Sequence, residues 1–315
     1  MGLYLIKRVA VLVLSTFAAT VIVFAFLAVL PGDPAEIALG VNATPEAVAA
    51  LRARFGTDRP LPVQYLDWVT GLLVGDFGTS YVSDAPLTPM IMDRLGVTCW
   101  LVLFGMIVAL LIAVPLGTVA AVRHRKVSGL LLSGLSQAGI AVPAFVAGIA
   151  LLYLFAVILR VLPSGGYVVP ARDPIGFLSH LLLPALSLGL IQGAVISRYV
   201  RSAVLDVLRE DFLRTARAKG MGLYRALLRH GARNAAIGVI TVLGLQLATL
   251  LIGAVVIERV FAIPGLGSLL LDGVANRDLL LVQGTVMVLV VAVLVINFLV
   301  DLAYLVLDPR LREPR

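Results

Sequence analysis

The sequence predicts an all-α membrane protein with six transmembrane helices, both termini cytoplasmic, and a helical extracytoplasmic segment between helices 1 and 2. Three observations predict it. The 315 residues are 60% hydrophobic and 14% charged, with a mean hydropathy of +1.04, far from the composition of water-soluble domains. Six uncharged apolar stretches recur, approximately residues 9–30, 97–122, 129–159, 181–196, 235–257 and 279–300, and a bilayer-spanning helix needs about 20 such residues. The basic residues fall mainly on alternate connections between those stretches.

The first stretch follows Lys7 and Arg8 and holds 22 apolar residues. That is longer than a usual signal-peptide core, so residues 1–30 read as an N-terminal segment with a retained first helix. Residues 31–96 are too long for a simple connector. Within them Thr44-Pro45-Glu46 has the form of an N-cap, a proline at the first helical position and an acid in the first turn, with a stop at Gly56. Tyr65, Leu66, Val69, Leu72 and Leu73 then repeat at helical spacing before Gly75-Asp76-Phe77-Gly78. This segment either caps the outer face or docks a partner. Residues 97–315 form a core of five further spans with a large loop at 201–234.

Six spans place both termini on one side. That side carries 17 bases and 5 acids, the other 8 bases and 12 acids, with Asp301 near a helix end. Lys and Arg in short loops resist translocation, so the basic side is cytoplasmic. The same asymmetry accounts for the pI of about 9.9. The bases are not interleaved with stacking aromatics, and nucleic acid is not an expected partner; the lipid bilayer is.

Several chemistries are excluded. Cys99 is the single cysteine and the histidines number three, without H-E-x-x-H spacing, so no disulfide framework, metal site or bound cofactor is expected in this chain. None of Lys7, Lys126 and Lys219 follows a glycine. With no G-K-[ST] phosphate loop, ATP would have to be bound by another chain. Ser136 lacks the second glycine of G-x-S-x-G, which argues against an intramembrane hydrolase. No ionisable group is evident deep in a span, which argues against an ion-coupled transporter. No catalytic residue is assigned.

Pro115, Pro143 and Pro184 lie within apolar stretches, where a lost helical hydrogen bond means either simple bending or a backbone satisfied by neighbouring protein or a cavity. Polar residues in the spans are Ser133, Ser136, Gln137, Ser187, Gln192, Thr241, Gln246, Thr249 and Asn297. Each fits helix-to-helix hydrogen bonding or a substrate path. Gln192, Gln246, Ser136 and Asn297 are the path candidates, the two glutamines first, because their long neutral amides lie near mid-span.

In the 201–234 loop, Val204, Leu205, Leu208 and Phe212 share one helical face. Glu210 and Arg214 form an i, i+4 pair, and the helix is expected to stop at Gly220, with a second short helix over 223–233. Periodicity alone fits a helix lying on anionic lipid as well as a docking element. The run Asp211-Phe212-Leu213-Arg214-Thr215-Ala216-Arg217-Ala218-Lys219-Gly220, followed by Arg229-His230 and Arg233-Asn234, resembles the cytoplasmic coupling loop of ABC importer permeases of the dipeptide, oligopeptide and nickel group. The general loop begins E-A-A; here those positions hold Arg214, Thr215 and Ala216, with Gly220 in register. Leu30-Pro31-Gly32-Asp33-Pro34, Asp58-Arg59-Pro60, Gln64-Tyr65, Gly75 to Ser80, Pro264-Gly265-Leu266-Gly267, Val282-Gln283-Gly284, Asn297 to Asp301 and Leu307-Asp308-Pro309-Arg310 resemble the same family in one order.

The resemblance implies a type I importer permease in the bacterial plasma (inner) membrane, forming half of a translocation path. It implies a second homologous permease, two cytoplasmic ATPase subunits carrying ATP and Mg, and an extracytoplasmic substrate-binding protein. Arg214, Thr215, Ala216, Arg217, Ala218, Lys219 and Gly220 would be the ATPase-coupling element. Asp76, Phe77, Pro264 and Gly265 are candidates for docking the binding protein. Relatives of this type carry dipeptides, longer peptides, glutathione or nickel chelates; peptides are the expected cargo.

Overall fold

A computed structural model of the chain describes residues 2–29, 32–40 and 43–307. Leu30 and Pro31 of the first family-like fragment, Asp308, Pro309 and Arg310 of the last, and the terminal charges Arg312, Glu313 and Arg315 lie outside the described residues, as does the side chain of Thr241. The described residues include thirteen α-helices and two π-helical turns, with no strand among them. Five helices are long and apolar enough to cross a membrane, or six if one bent pair counts as a single span.

The first long helix, α1, runs Gly2–Val29. Three short helices follow, and their ends are set by local chemistry. In α2 (Pro34–Leu39) the Asp33 carboxylate accepts from the Ala35 N–H at 2.9 Å. In α3 (Pro45–Phe55) the Thr44 hydroxyl accepts from Ala47 N–H at 3.3 Å, Pro45 opens the helix where its missing donor costs nothing, and Gly56 ends it at φ +70°. α4 spans Leu61–Leu73.

α5 (Leu87–Val122) starts ten residues before the apolar stretch at 97–122. Its added turns are amphipathic rather than apolar, and their buried face is Leu87 and Ile91, so a hydropathy window misses them. The expected third span at 129–159 is two helices, α6 (Val127–Ala141) and α7 (Ala144–Leu152), bent by 93° and followed by a π-helical turn Tyr153–Ile158. The break sits where Pro143 follows Val142. A residue before proline is pushed out of the helical region, and Val142 lies at φ −90°, ψ 122°.

α8 (Pro174–Leu208) passes through Pro184 without interruption. It stops at Leu208, so the helix expected to run on to Gly220 is instead two. Glu210 is extended, at φ −70°, ψ 140°, and α9 (Asp211–Ala218) begins after it with Asp211 in its first turn, where the helix dipole favours an acid. The expected Glu210–Arg214 pair is accordingly absent from the helix, and Arg214 reaches Asp211 at 3.4 Å. α10 (Leu223–Ala226) and the π-turn Leu227–Gly231 lead into α11 (Ala232–Val260), then α12 (Leu266–Ala275) and α13 (Leu279–Leu307).

By contacts the chain divides into two units. One comprises residues 9–98 and 264–295 and is built around Phe77, Leu87, Ile91, Leu266, Leu269 and Leu281. Burying an aliphatic or aromatic side chain of this size contributes about 1.5–3 kcal/mol each. Asp278, 3% exposed, ties this unit together: its carboxylate accepts from the Ser80 hydroxyl, from Tyr81 N–H at 3.3 Å and from Leu281 N–H at 3.4 Å.

The other unit comprises residues 1–8, 99–263 and 296–315. In it α8 packs at close range through small residues. A Cβ at Gly189 would lie 2.4 Å from Val108, and one at Gly193 3.0 Å from Ile112. Helix pairs in lipid gain little from hydrophobicity and associate through such close contact. Arg8 and Asp301 pair at 2.9 Å within this unit, which gives the acid near the end of the last helix a partner.

Candidate functional site: coupling loop and polar path

The loop helix α9 is anchored on one face and free on the other. Leu213 and Ala216 are buried with Ala226, and Leu208, Met221 and Leu223 pack around them. The remaining positions of the run, Arg214, Thr215, Arg217, Ala218, Lys219 and Gly220, are exposed. Backbone bonds hold the turn that ends the helix: Lys219 N–H to Thr215 C=O at 3.1 Å, Gly220 N–H to Arg217 C=O at 2.9 Å and Met221 N–H to Ala216 C=O at 3.3 Å. Gly220 takes φ +86°, the left-handed region that favours glycine. The result is a short, rigid knob with two exposed bases at its end, held by its apolar side.

Of the polar path candidates, two meet. Gln192 of α8 and Gln246 of α11 are each 6% exposed, and the Gln192 side-chain amide donates to the Gln246 carbonyl oxygen. A neutral amide buried in an apolar helix pair costs about 1–3 kcal/mol if left unpaired, so each explains the other's burial. Ser136 of α6 is also buried, accepts from the Ser197 hydroxyl of α8 at 2.9 Å and donates to Leu132 C=O at 3.1 Å. Asn297 stands apart, exposed on α13. Ser133, Ser187 and Thr249 donate to their own helix, to the carbonyls of Gly129, Leu183 and Leu245; Gln137 is exposed.

Sequence reasoning missed Ser197 as the partner of Ser136. The two are 61 residues apart, and only helix rotation puts them face to face. Glu258, near the end of α11, has a fully buried side chain, which its position in the sequence does not reveal.

The four candidates for docking a binding protein differ in access. Asp76 is exposed, and its carboxylate accepts from Gly78 N–H at 2.8 Å, fixing the Gly75–Gly78 turn. Phe77 is buried in the core of its unit, Gly265 is buried at the start of α12, and Pro264 is half-buried. Nearby charge is paired. The Arg54 guanidinium lies 2.5 Å from Asp84, and their hydrogen bond, then their charge attraction, holds the Asp84 carboxyl below and Arg54 above their ordinary ranges. Both are exposed, and such pairs contribute little to stability.

No cluster of His, Cys, Asp or Glu suited to a metal ion occurs among the described residues.

The sequence is similar to known proteins along nearly its whole length. A family profile described as "Binding-protein-dependent transport system inner membrane component" matches residues 113–313, and the profile for the N-terminal part of such components matches residues 1–102. The chain is 40% identical over 309 residues to the "Glutathione transport system permease protein GsiC" of Salmonella typhimurium, covering 98% of each chain. It is 37% identical over 313 residues to a "Probable peptide ABC transporter permease protein" of Sinorhizobium fredii, covering 99% of this chain and all of that one. A glutathione transport system permease protein of Escherichia coli is 38% identical over 309 residues, again covering 98% of each. Profile matches across both halves and near end-to-end relatives agree with the apolar helices: the chain belongs to the binding-protein-dependent transport system inner membrane components and is a multi-pass permease subunit of a bacterial ABC importer of the peptide and nickel group.

Proposed function

We propose that this chain forms half of the translocation path of an importer for di- or oligopeptides, paired with a second homologous permease. Two cytoplasmic ATPase subunits drive it, and an extracytoplasmic binding protein delivers cargo. Both termini and the 201–234 loop lie in the cytoplasm, and 31–96 faces outward, a placement that the distribution of basic residues supports. ATP and Mg belong to the partner chains, and hydrolysis takes place there. The part assigned to α9 is mechanical. Its exposed face, Arg214, Thr215, Arg217 and Ala218, docks in an ATPase groove. Its buried face, Leu213 and Ala216, passes the motion of the closing ATPase pair to Leu208 at the end of α8 and to Leu223 of α10. A packed contact of this kind switches between discrete arrangements rather than deforming continuously.

The observation that carries the peptide reading is the Gln192–Gln246 pair, a neutral donor and acceptor buried in an apolar helix bundle. A peptide group offers the complementary acceptor and donor, and once cargo is present it can take the place of the inter-amide bond. Glutathione, itself a modified tripeptide, is the second reading, favoured by the relatives named for its transport.

The test reconstitutes the permease pair, ATPases and binding protein in liposomes and measures ATP-dependent uptake of labelled dialanine, a longer peptide, glutathione and a nickel chelate, each also as competitor. Peptide uptake competed weakly by glutathione is expected. Preferential glutathione or nickel uptake would replace the peptide reading.

A further inference from the structure

α4 exposes more apolar surface than a helix surrounded by water tolerates. Leu66 is 59% exposed, and Leu73, with Val74 at the C-terminal cap, is 81% exposed. Pro62, Leu66, Val69 and Leu73 recur at i, i+4, i+7 and i+11 and form one stripe. Gln64, Asp67 and Gly71 form a stripe on the other side. Its polar groups are met locally: Asp67 pairs with Arg59 at 2.5 Å, and the Gln64 amide donates to Arg59 C=O at 2.7 Å. Thr70, exposed between the stripes, turns its hydroxyl back on its own helix, 2.8 Å from Leu66 C=O and 3.0 Å from Asp67 C=O. The neighbouring α3 is different. Its exposed positions include Glu46, Arg52, Arg54 and three alanines, and it exposes no large apolar side chain.

What covers the apolar stripe follows from where α4 touches α1, within the same unit. The Tyr65 and Thr20 hydroxyls lie 2.9 Å apart, and the Phe24 ring packs on Tyr65 and Trp68 at 5.4 and 6.2 Å between centroids. α1 is long and apolar enough to cross a membrane. Its apolar run begins after Lys7 and Arg8, and about 30 Å of hydrocarbon at about 1.5 Å per residue takes roughly twenty residues, which puts the outer boundary near Ala28. Phe24 then lies about 6 Å below that boundary and Thr20 about 12 Å.

α4 therefore crosses α1 beneath the hydrocarbon edge, at the depth of about 5–10 Å that amphipathic in-plane helices occupy. The two aromatic contacts give its roll. Tyr65, which reaches the deeper Thr20, flanks the apolar stripe, and Trp68, which reaches Phe24, flanks the polar one. Leu66 and Leu73 are thus on the bilayer side and Asp67 on the headgroup side. Ile22 and Phe26 of α1 are exposed as well. The apolar surface runs on from them to α4 across a cleft of about 200 Å³ lined by Val21, Phe24, Ala25, Leu61, Pro62 and Tyr65.

We propose that α4 is an in-plane helix of the outer leaflet, with Pro62, Leu66 and Leu73 among phospholipid acyl chains and the Arg59–Asp67 pair at the headgroups. The assignment rests on 31–96 facing outward. It makes lipid the partner of this face, and it holds the Gly75–Gly78 turn, which follows α4, at the membrane surface.

The assembled importer in liposomes, with this chain free of Cys99, carries one spin label at a time on a cysteine at Leu66, Leu73, Ile22 or Ser83. Collisions are measured with oxygen, which concentrates in hydrocarbon, and with a water-soluble nickel chelate. Ile22 is the lipid reference and the exposed Ser83 the aqueous one. The oxygen-to-chelate ratio at positions 66 and 73 is expected to match that at 22, to exceed that at 83 several-fold, and to stay unchanged when the binding protein is added.

A ratio at 66 and 73 like that at 83 overturns the proposal and puts α4 in water. Loss of collisions with both reagents overturns it in favour of the second permease, and the same loss appearing only with the binding protein gives the face to that protein. An impermeant maleimide at the Ser83 cysteine tests the orientation separately. Labelling from the same side as a cysteine at Ala218 overturns the outward reading and the outer-leaflet assignment together, whereas labelling from the opposite side with an aqueous ratio at 66 and 73 leaves the outward reading standing and removes the lipid face.

Discussion

Gly220 offers a test in which geometry and bulk separate. It sits at φ +86°, and a Cβ built there meets nothing within 4 Å. Any cost of substitution within this chain therefore comes from the backbone. A residue with a Cβ loses roughly 1–2 kcal/mol in the left-handed region, and a β-branched one fares worse. Against the alternatives available to a short exposed turn, that lowers the native population ratio by about five- to thirtyfold. The turn carries Met221 into the cluster with Leu213 and Ala216, so its loss loosens the seat of the whole α9 knob. Asparagine tolerates this region, and the predicted order of function is glycine, asparagine, alanine, valine. ATP-dependent uptake in liposomes reads it, together with crosslinking to the ATPase from a cysteine at Ala218 in a Cys99-free background. Gly220→Val should lose most uptake while the chain still inserts, and Gly220→Asn should stay close to the parent. If Gly220→Val transports normally and position 218 gives no crosslink, α9 is not the coupling element. If asparagine is as damaging as valine, bulk at the partner surface matters and the backbone account is wrong. A helix that merely lies on lipid predicts a third pattern, in which reversing Arg217 and Lys219 weakens association with anionic vesicles and Gly220 is indifferent.

Other variants test the packing and the topology. Gln246→Leu should strand the buried Gln192 amide and lower stability by about 1–3 kcal/mol, with the double change Gln192→Leu, Gln246→Leu recovering part of it; thermal unfolding in detergent checks this, and a double variant no better than the single would deny the pairing. Asp278→Ala removes the acceptor shared by Ser80, Tyr81 and Leu281, where bonds to a charged group contribute about 1.5–3 kcal/mol each. Faster tryptic cleavage after Arg52 and Arg54 is expected, and an unchanged cleavage pattern would show that the clamp does not hold the 31–96 segment. Single cysteines at the exposed Ser83 and Ala218 should react with an impermeant maleimide from opposite sides of the membrane; labelling from one side would remove the proposed orientation.

Local chemistry was legible without coordinates. The Thr44-Pro45-Glu46 start and the Gly56 stop of α3 appear as read, because capping is decided within a turn of the chain. The apolar stretches were legible for the same reason, since hydropathy needs no partner. The left-handed Gly220 could be anticipated from its place after a helix end.

Three prolines show where such reading stops. Pro115 and Pro184 remain inside continuous helices, while Pro143 accompanies a 93° bend. All three lack the same N–H. What differs is the surroundings: Gly139 lies against Ala194, and Gly148 against Phe261, Ser187 and Ile257, so α6 and α7 each find a separate seat. The break between α8 and α9 is similar, because Leu208 and Leu213 share one apolar cluster only when the chain turns at Glu210.

By itself, then, the sequence determined that this chain is helical and built for a membrane, where its basic residues fall, and which glycine ends the loop helix. Each follows from residues within a few positions of one another. The tertiary structure decided that Gln192 meets Gln246, that Ser136 meets Ser197, and that Tyr65 meets Thr20. Periodicity shows that a helix has a polar position and an apolar face; which neighbour that face meets depends on helix rotation and close packing, settled between residues 54, 61 and 45 positions apart.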